Sequence, residues 1–292
     1  MTARPDILAG LVGRGIGASA SPAIHMREAA AQGIALRYDL IDFDALELED
    51  GALGVQLDSL AAGGYAGVNI THPFKQAVIP LLDEVDATAL ALGAVNCVVF
   101  RGARKIGYNS DWLGFAYLVE SELAGHSTET VVQVGAGGAG SATAYALLSS
   151  GTRDLRICDS DESRAQALAE RLAALFQGAR LSSAPAIDAA LTGADGVVQA
   201  TPVGMASHPG VPFEPALLSP GQWLADIIYF PRATELVQAA RARGLHAVGG
   251  SAMVIGQASL PFECFTGQPA NRQRMLADFL AAESHDRTEA AT

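Results

Sequence analysis

The chain has 292 residues and a formal charge of −12, with half of its residues hydrophobic and 17% charged. That length suits two domains of about 100–150 residues with sizeable cores. The acidic balance excludes nucleic acid and anionic lipid as expected partners, because both need a basic surface, although a local site can still oppose the global sign and hold a small anion. Met1 to Gly10 carries Arg4 and Asp6 without a long apolar stretch, which argues against a secretory signal. Cys97, Cys158 and Cys264 are odd in number and far apart, and the six histidines form no close cluster. A reducing compartment, the cytoplasm by default, and no metal site are the expectations.

The first elements alternate strand-like and helix-like pieces. Ala9 to Gly13 predicts a short strand, and Pro22 opens a helix that Gly33 ends. Leu36 to Phe43 alternates as a half-buried strand, and Leu53 to Ala62 suits a helix. Tyr65 to Ile70 predicts a strand leading to Pro73, where a helix can begin. Leu81 to Leu92 is expected to be helical, and Ala94 to Phe100 returns to strand.

A more regular series starts at Val131. Strands are expected at Val131–Val134, Leu155–Cys158, Gly196–Ala200 and Leu224–Ile228. Between them, Ser163–Gln177 predicts a helix with Leu168, Leu172, Leu175 and Phe176 on one face, and Thr234 is expected to cap a helix reaching Arg243 before Gly244. Such alternation indicates a parallel sheet covered on both faces. The charge-free window Val131–Ser150 reads as strand, glycine turn and helix rather than a membrane span. The polar tail from about Glu283 to Thr292 is expected to be frayed.

Val131-Val132-Gln133-Val134 runs directly into Gly135-Ala136-Gly137-Gly138-Ala139-Gly140, a G-x-G-x-x-G string between a strand and an apolar helix. The first glycine permits the tight turn, the second lets backbone approach a pyrophosphate, and the third lets helix and strand pack closely. Nineteen residues beyond Gly140, at the end of the next strand, stands Asp159. A carboxylate there accepts hydrogen bonds from the adenosine ribose hydroxyls. It also repels a 2′-phosphate, by about 1–3 kcal/mol per phosphate charge at a separation of ~5 Å. Ser160 follows it, and Arg164 is the one cation close by that a phosphate would find. NAD is therefore expected, with NADP disfavoured by Asp159. The plain structural alternative for Asp159 is a cap for the next helix.

Transfer of a hydride from an alcohol needs a group that takes the hydroxyl proton. The N-terminal half offers a polar cluster: Ser19-Ala20-Ser21-Pro22, Gly67-Val68-Asn69-Ile70-Thr71-His72-Pro73-Phe74-Lys75, Gly93-Ala94-Val95-Asn96 and Gly107-Tyr108-Asn109-Ser110-Asp111. These strings, in this order, resemble the shikimate dehydrogenase family, including its quinate-oxidising members. The resemblance continues in Gln199-Ala200-Thr201-Pro202-Val203-Gly204-Met205, in Asp226-Ile227-Ile228-Tyr229-Phe230-Pro231-Arg232-Ala233-Thr234, and in Gly250-Ser251-Ala252-Met253-Val254-Ile255-Gly256-Gln257, so that it covers the chain essentially end to end.

The resemblance implies Lys75 and Asp111 as the catalytic pair, the lysine exchanging the proton and the aspartate holding it in place. It implies Ser19 and Ser21 as donors to a substrate carboxylate. Asn69, Thr71, Asn96 and Gln257 would bind ring hydroxyls, and Tyr229 would close the site. On the cofactor side it implies Gly135, Ala136, Gly137, Gly138, Ala139, Asp159, Arg164, Thr201, Pro202, Met205, Gly250 and Met253. His25, His72 and Cys97 read as structural neighbours.

Four departures bear on specificity. Ala18 replaces a frequent histidine, Ser110 a threonine and Gln199 an asparagine, while Asp159-Ser160 replaces the Asn-Arg pair associated with NADP. These features resemble the NAD-preferring quinate/shikimate branch. The implied architecture is an N-terminal α/β substrate domain, residues 1–112 with 250–292, and a Rossmann-type doubly wound parallel sheet over 113–249, with the site in the cleft between them. The implied partner is a small hydroxylated cyclic carboxylic acid, met by a monomer or homodimer. The rival readings are an amino-substituted analogue as substrate, and a catalytically idle NAD or metabolite sensor.

Overall fold

The computed structural model describes residues 7–289, with side chains described as far as residue 282. It divides into two compact units, one containing the chain up to Ser110 and again from Gln257, the other Asp111–Gly256. The expected boundaries, 112/113 and 249/250, fall two and seven residues away. The second boundary lies inside a continuous helix, which sequence punctuation does not mark.

The first unit is built on a six-stranded mixed sheet. Strand β1 (Ile7–Gly13) leads to helix α1 (Ser21–Ala31), then β2 (Leu36–Asp42), α2 (Leu53–Ala62), β3 (Gly67–Ile70), the single turn α3 (Phe74–Ala77), β4 (Glu84–Val85), α4 (Ala87–Leu92), β5 (Cys97–Arg101) and β6 (Arg104–Tyr108). Their spatial order is β2-β1-β3-β5-β6-β4. Strands β1, β2 and β3 are mutually parallel, β5 runs antiparallel to β3 and β6, and β4 is parallel to β6. Phe43, Leu57, Val68, Phe74 and Val98 form its largest described core.

Two expectations here are corrected. The stretch Leu81–Leu92 is not one helix, because Glu84 and Val85 pair with Ile106 and Gly107, and only Ala87–Leu92 is helical, capped by Asp86. The strand expected from Ala94 starts at Cys97.

The second unit begins with α5 (Asp111–Glu122), followed by β7 (Thr130–Val134), α6 (Gly138–Ser149), β8 (Asp154–Cys158), α7 (Glu162–Ala173), β9 (Arg180–Ser183), α8 (Ile187–Leu191), β10 (Gly196–Gln199), β11 (Trp223–Asp226), α9 (Glu235–Ala242) and β12 (His246–Val248). Every described strand pair is parallel, and the order β12-β11-β10-β7-β8-β9 reverses between β7 and β10. In a sheet of this kind ligands bind at the carboxyl ends of the strands flanking that reversal. Helix α7 is shorter than expected. It ends at Ala173, so Leu168 and Leu172 are buried, Leu175 is exposed, and Phe176 instead meets Tyr145 edge-on.

Helix α10 (Ser251–Thr266) is divided between the units. Its Gly256 has no room for a side chain, since a Cβ would lie 2.8 Å from Gly114 Cα of α5. Helix α11 (Arg272–Glu289) follows, so the backbone expected to fray from Glu283 is helical to Glu289, while residues 290–292, like Arg4 and Asp6, lie outside the described residues. Among the described residues no helix is long and apolar enough to cross a membrane, and the window Val131–Ser150 is strand, turn and helix.

Candidate active site

Strand β7 runs directly into Gly135, whose φ of +107° and whose contact with the next loop both demand glycine, since a Cβ would come within 2.6 Å of the Ala200 carbonyl. At Gly140 a Cβ would strike the Gly135 carbonyl, so α6 packs directly on the strand end. Around Gly137 and Gly138, by contrast, an added Cβ meets nothing within 4 Å. The turn is thus rigid where it faces the sheet and open where a pyrophosphate needs backbone access and the N-terminal end of α6. These residues fit a dinucleotide.

Gln133 builds the turn from beneath. This fully buried amide donates to the Gly135 and Gly140 carbonyls, both at 2.8 Å, and accepts from the Thr143 hydroxyl at 2.8 Å. Gln199 does the same for the facing loop at the end of β10. It donates to the carbonyls of Thr201 and Val203 and accepts the Thr201 N–H at 2.6 Å. Its extra methylene over asparagine is accommodated with every polar atom satisfied.

Asp159 stands at the end of β8. Its Oδ2 accepts the Ala136 N–H at 2.7 Å, and its Oδ1 accepts the Asp161 N–H at 2.9 Å. Lone pairs remain on both oxygens for ribose hydroxyls. The helix cap expected of it as an alternative falls to Asp161, which accepts from Ser163. Arg164 is exposed and pairs with Asp161 at 3.4 Å. Thr201 lies against Gly135, Pro202 and Met205 are exposed, Gly250 donates its N–H to the Ile228 carbonyl at 2.9 Å, and Met253 is buried in the first turn of α10. Tyr229, 41% exposed, rides on a loop closed by Asp226, which accepts from the Ile228 N–H and the Thr234 hydroxyl.

In the first unit the structure brings expected residues into two hydrogen-bonded groups, Ser19 with Ser21 and Asn69 with Asn96 and Ser110. Ser19 Oγ accepts the Ser21 N–H at 3.2 Å. Asn69 donates to the Asn96 carbonyl at 3.2 Å, and the buried Asn96 donates to Ser110 Oγ at 3.1 Å and accepts the Ser110 N–H at 2.7 Å. The loop carrying the serines is pinned by Asp42, whose carboxylate takes the N–H groups of Gly15 and Ile16, and Ser19 N–H returns to the Ile16 carbonyl. Thr71 and Lys75 are half-buried on the segment after β3, where the Lys75 carbonyl accepts the Val95 N–H at 2.8 Å. Asp111 is buried as the first residue of α5, and Gln257 is half-buried on α10.

Tyr38, Gln133 and Asp42 escaped the sequence reading. Alternation marks Tyr38 as a buried strand position, and only the fold reveals that its hydroxyl meets Asn69 at 2.8 Å. His25 stacks on the Tyr38 ring at 4.6 Å, as the structural neighbour expected, and Cys97 is a buried packing residue.

Residues 11–98 match the family model described as shikimate dehydrogenase substrate binding domain. The chain is 47% identical to a shikimate dehydrogenase (NADP(+)) of Pseudarthrobacter chlorophenolicus, over 94% of each chain. It is 44% identical to a quinate/shikimate dehydrogenase (NAD(+)) of Corynebacterium efficiens, over 94% of this chain and 98% of that one. Among solved structures it is similar to a quinate dehydrogenase from Corynebacterium glutamicum in complex with NAD, with a TM-score of 0.87, 43% identity, and coverage of 94% of this chain and 99% of that one.

Proposed function

The chain belongs to the shikimate dehydrogenase family, and on that footing we propose that it catalyses the reversible oxidation of quinate or shikimate to the 3-dehydro acid with NAD. The observation that carries the reading is the pair of hydrogen-bonded groups of hydroxyls and amides in the first unit, Ser19 with Ser21 and Asn69 with Asn96 and Ser110. An uncharged, donor-and-acceptor surface of this kind suits a polyhydroxylated acid. Asp159, bonded to the glycine turn, supports NAD over NADP.

Bound NAD supplies the hydride acceptor. Lys75 takes the proton of the reacting hydroxyl as the hydride leaves, and returns it when the ketone is reduced. Asp111 accepts from the lysine and from a ring hydroxyl. Ser19 and Ser21 hold the carboxylate, Asn69, Thr71, Asn96 and Gln257 hold the ring hydroxyls, and Tyr229 covers the acid. Gly135 to Ala139 take the pyrophosphate, Asp159 the adenosine ribose, and Thr201, Pro202, Met205, Gly250 and Met253 the nicotinamide end. Arg164, already engaged by Asp161, is a peripheral member of that set. Three free thiols and the charge of −12 support a cytoplasmic enzyme, monomeric or homodimeric, whose partner is this small acid and neither nucleic acid nor membrane.

Lys75→Ala tests the reading. Loss of the proton-transfer group lowers kcat by about 10²–10⁴-fold while NAD binding, followed by nicotinamide fluorescence, is retained. Unchanged turnover contradicts it.

A further inference from the structure

We propose that Gln133 is a positioning residue for the dinucleotide, acting through the Gly135–Ala136 peptide on Asp159; the inference rests on the functional reading given above. Gln133 is fully buried in β7 and so touches no ligand itself. Its amide nevertheless reaches two points of the glycine turn, the Gly135 and Gly140 carbonyls, both at 2.8 Å.

The orientation of the amide is settled by its partners. Neither carbonyl has a proton, so Nε2 must face them and give one N–H to each. Oε1 is then turned to the Thr143 hydroxyl at 2.8 Å, which also lies 3.1 Å from the Gly140 carbonyl. Thr143, itself fully buried in α6, locks the amide in that sense.

The peptide joining Gly135 to Ala136 is trans, so its carbonyl and its N–H point in opposite directions. Gln133 holds the carbonyl from the buried side, and Asp159 Oδ2 holds the N–H at 2.7 Å from the other. The Gly135 N–H donates in turn to the carbonyl of Cys158, the residue before Asp159, at 2.8 Å. One peptide plane is thus clamped between a buried neutral amide and the carboxylate assigned to the adenosine ribose.

The turn needs such a clamp because of the residues that make it. Gly135 sits at a φ of +107°, and at Gly137 and Gly138 an added Cβ would meet nothing within 4 Å. Glycine loses more backbone freedom on ordering than any other residue, and it has no side chain by which to be held. Gln133 supplies the anchor from beneath. Without it the peptide is free to rotate, the Ala136 N–H leaves Asp159, and the cost of ordering both falls on cofactor binding.

Gln133→Met keeps the length of the side chain and removes both donors. The Kd of the full chain for NADH, read by nicotinamide fluorescence, is expected to rise roughly five- to twentyfold. The Tm falls as well, since two carbonyls lose a donor, so the deciding measurement is coupling to Asp159. In an Asp159→Ala background, where the far end of the peptide is already released, the same substitution should change the NADH Kd by less than about twofold. A residue that only holds the fold together would lower Tm and leave the two effects additive. Thr143→Val carries the same test if Gln133→Met does not fold. It removes only the hydroxyl that locks the amide, and should raise the NADH Kd about two- to fourfold with Asp159 present and not without it. Additive effects, or an NADH Kd for Gln133→Met within about twofold of wild type, overturn the proposal. A wild type that binds neither NADH nor NADPH overturns the functional reading together with this one, whereas a wild type that binds NADH beside an indifferent Gln133→Met overturns the role of Gln133 alone.

Discussion

The backbone N–H of Ala136 donates to the Asp159 carboxylate at 2.7 Å, so the residue that would read the adenosine ribose also fastens the turn that would hold the pyrophosphate. Both Asp159 oxygens accept backbone protons, from Ala136 and from Asp161. An asparagine has one acceptor only, and its NH2 would face an N–H.

Asp159→Asn is therefore expected to weaken both cofactors through the turn, while removing the charge that rejects a 2′-phosphate. The ratio of kcat/KM for NAD over NADP separates the two effects. It should fall by about five- to two-hundredfold, corresponding to about 1–3 kcal/mol of lost repulsion. An unchanged ratio contradicts the role of Asp159 in cofactor choice.

Asp226 makes a pH prediction. Burial pushes its pKa up to about 6, against the lowering pull of the Ile228 N–H and the Thr234 hydroxyl. In the unfolded chain this carboxyl titrates near its ordinary 3.8. Between those values the folded chain keeps a proton that the unfolded chain has released. Its contribution to stability is full below the unfolded value and is lost as pH rises through about 6, a span of about 3 kcal/mol. Urea denaturation across this window should show Asp226→Asn, whose amide presents one acceptor and one donor-bearing position like the protonated carboxyl, close to wild type near the acid end and increasingly more stable than wild type toward neutrality. Parallel curves for the two proteins contradict the assignment.

Glu28 and Arg274 tie α11 to α1. The Glu28 side chain is fully buried and receives Arg274 Nε at 2.9 Å and Nη2 at 2.6 Å, with further bonds from Asn271 and Gln32. Burial alone would raise the carboxyl pKa, and these partners together hold it below its ordinary value. Arg274→Ala strands that carboxylate and should cost about 3–5 kcal/mol by chemical denaturation, most of it recovered in an Arg274→Met, Glu28→Leu double variant. A loss below about 1 kcal/mol would show that the ion pair does little.

The doubly wound unit was largely legible in the sequence, because its strands are apolar runs and its turns carry Gly135, Gly140 and Gly244 where geometry leaves little choice. The first unit was harder. Strand β6, Arg104–Tyr108, is charged at its start and is joined to β5 through Gly102 in the left-handed region, a hairpin without the usual Asn-Gly signal. Strand β9 is a polar edge, Arg180–Ser183, indistinguishable from loop. Glu84 and Val85 were absorbed into an Ala- and Leu-rich pattern that mimics helical spacing. In the proposed site, the residues in motif strings stand out in the sequence and their supports do not. Tyr38, Gln133 and Asp42 act by meeting backbone or side chains far along the chain, and no local pattern records that.

Steady-state turnover of the purified chain with quinate and shikimate, each paired with NAD and NADP, tests the central claim most directly. The account predicts reduction of NAD with at least one of the two acids, at a kcat/KM above that for NADP. Absence of turnover in all four pairings, or a preference for NADP, would contradict it.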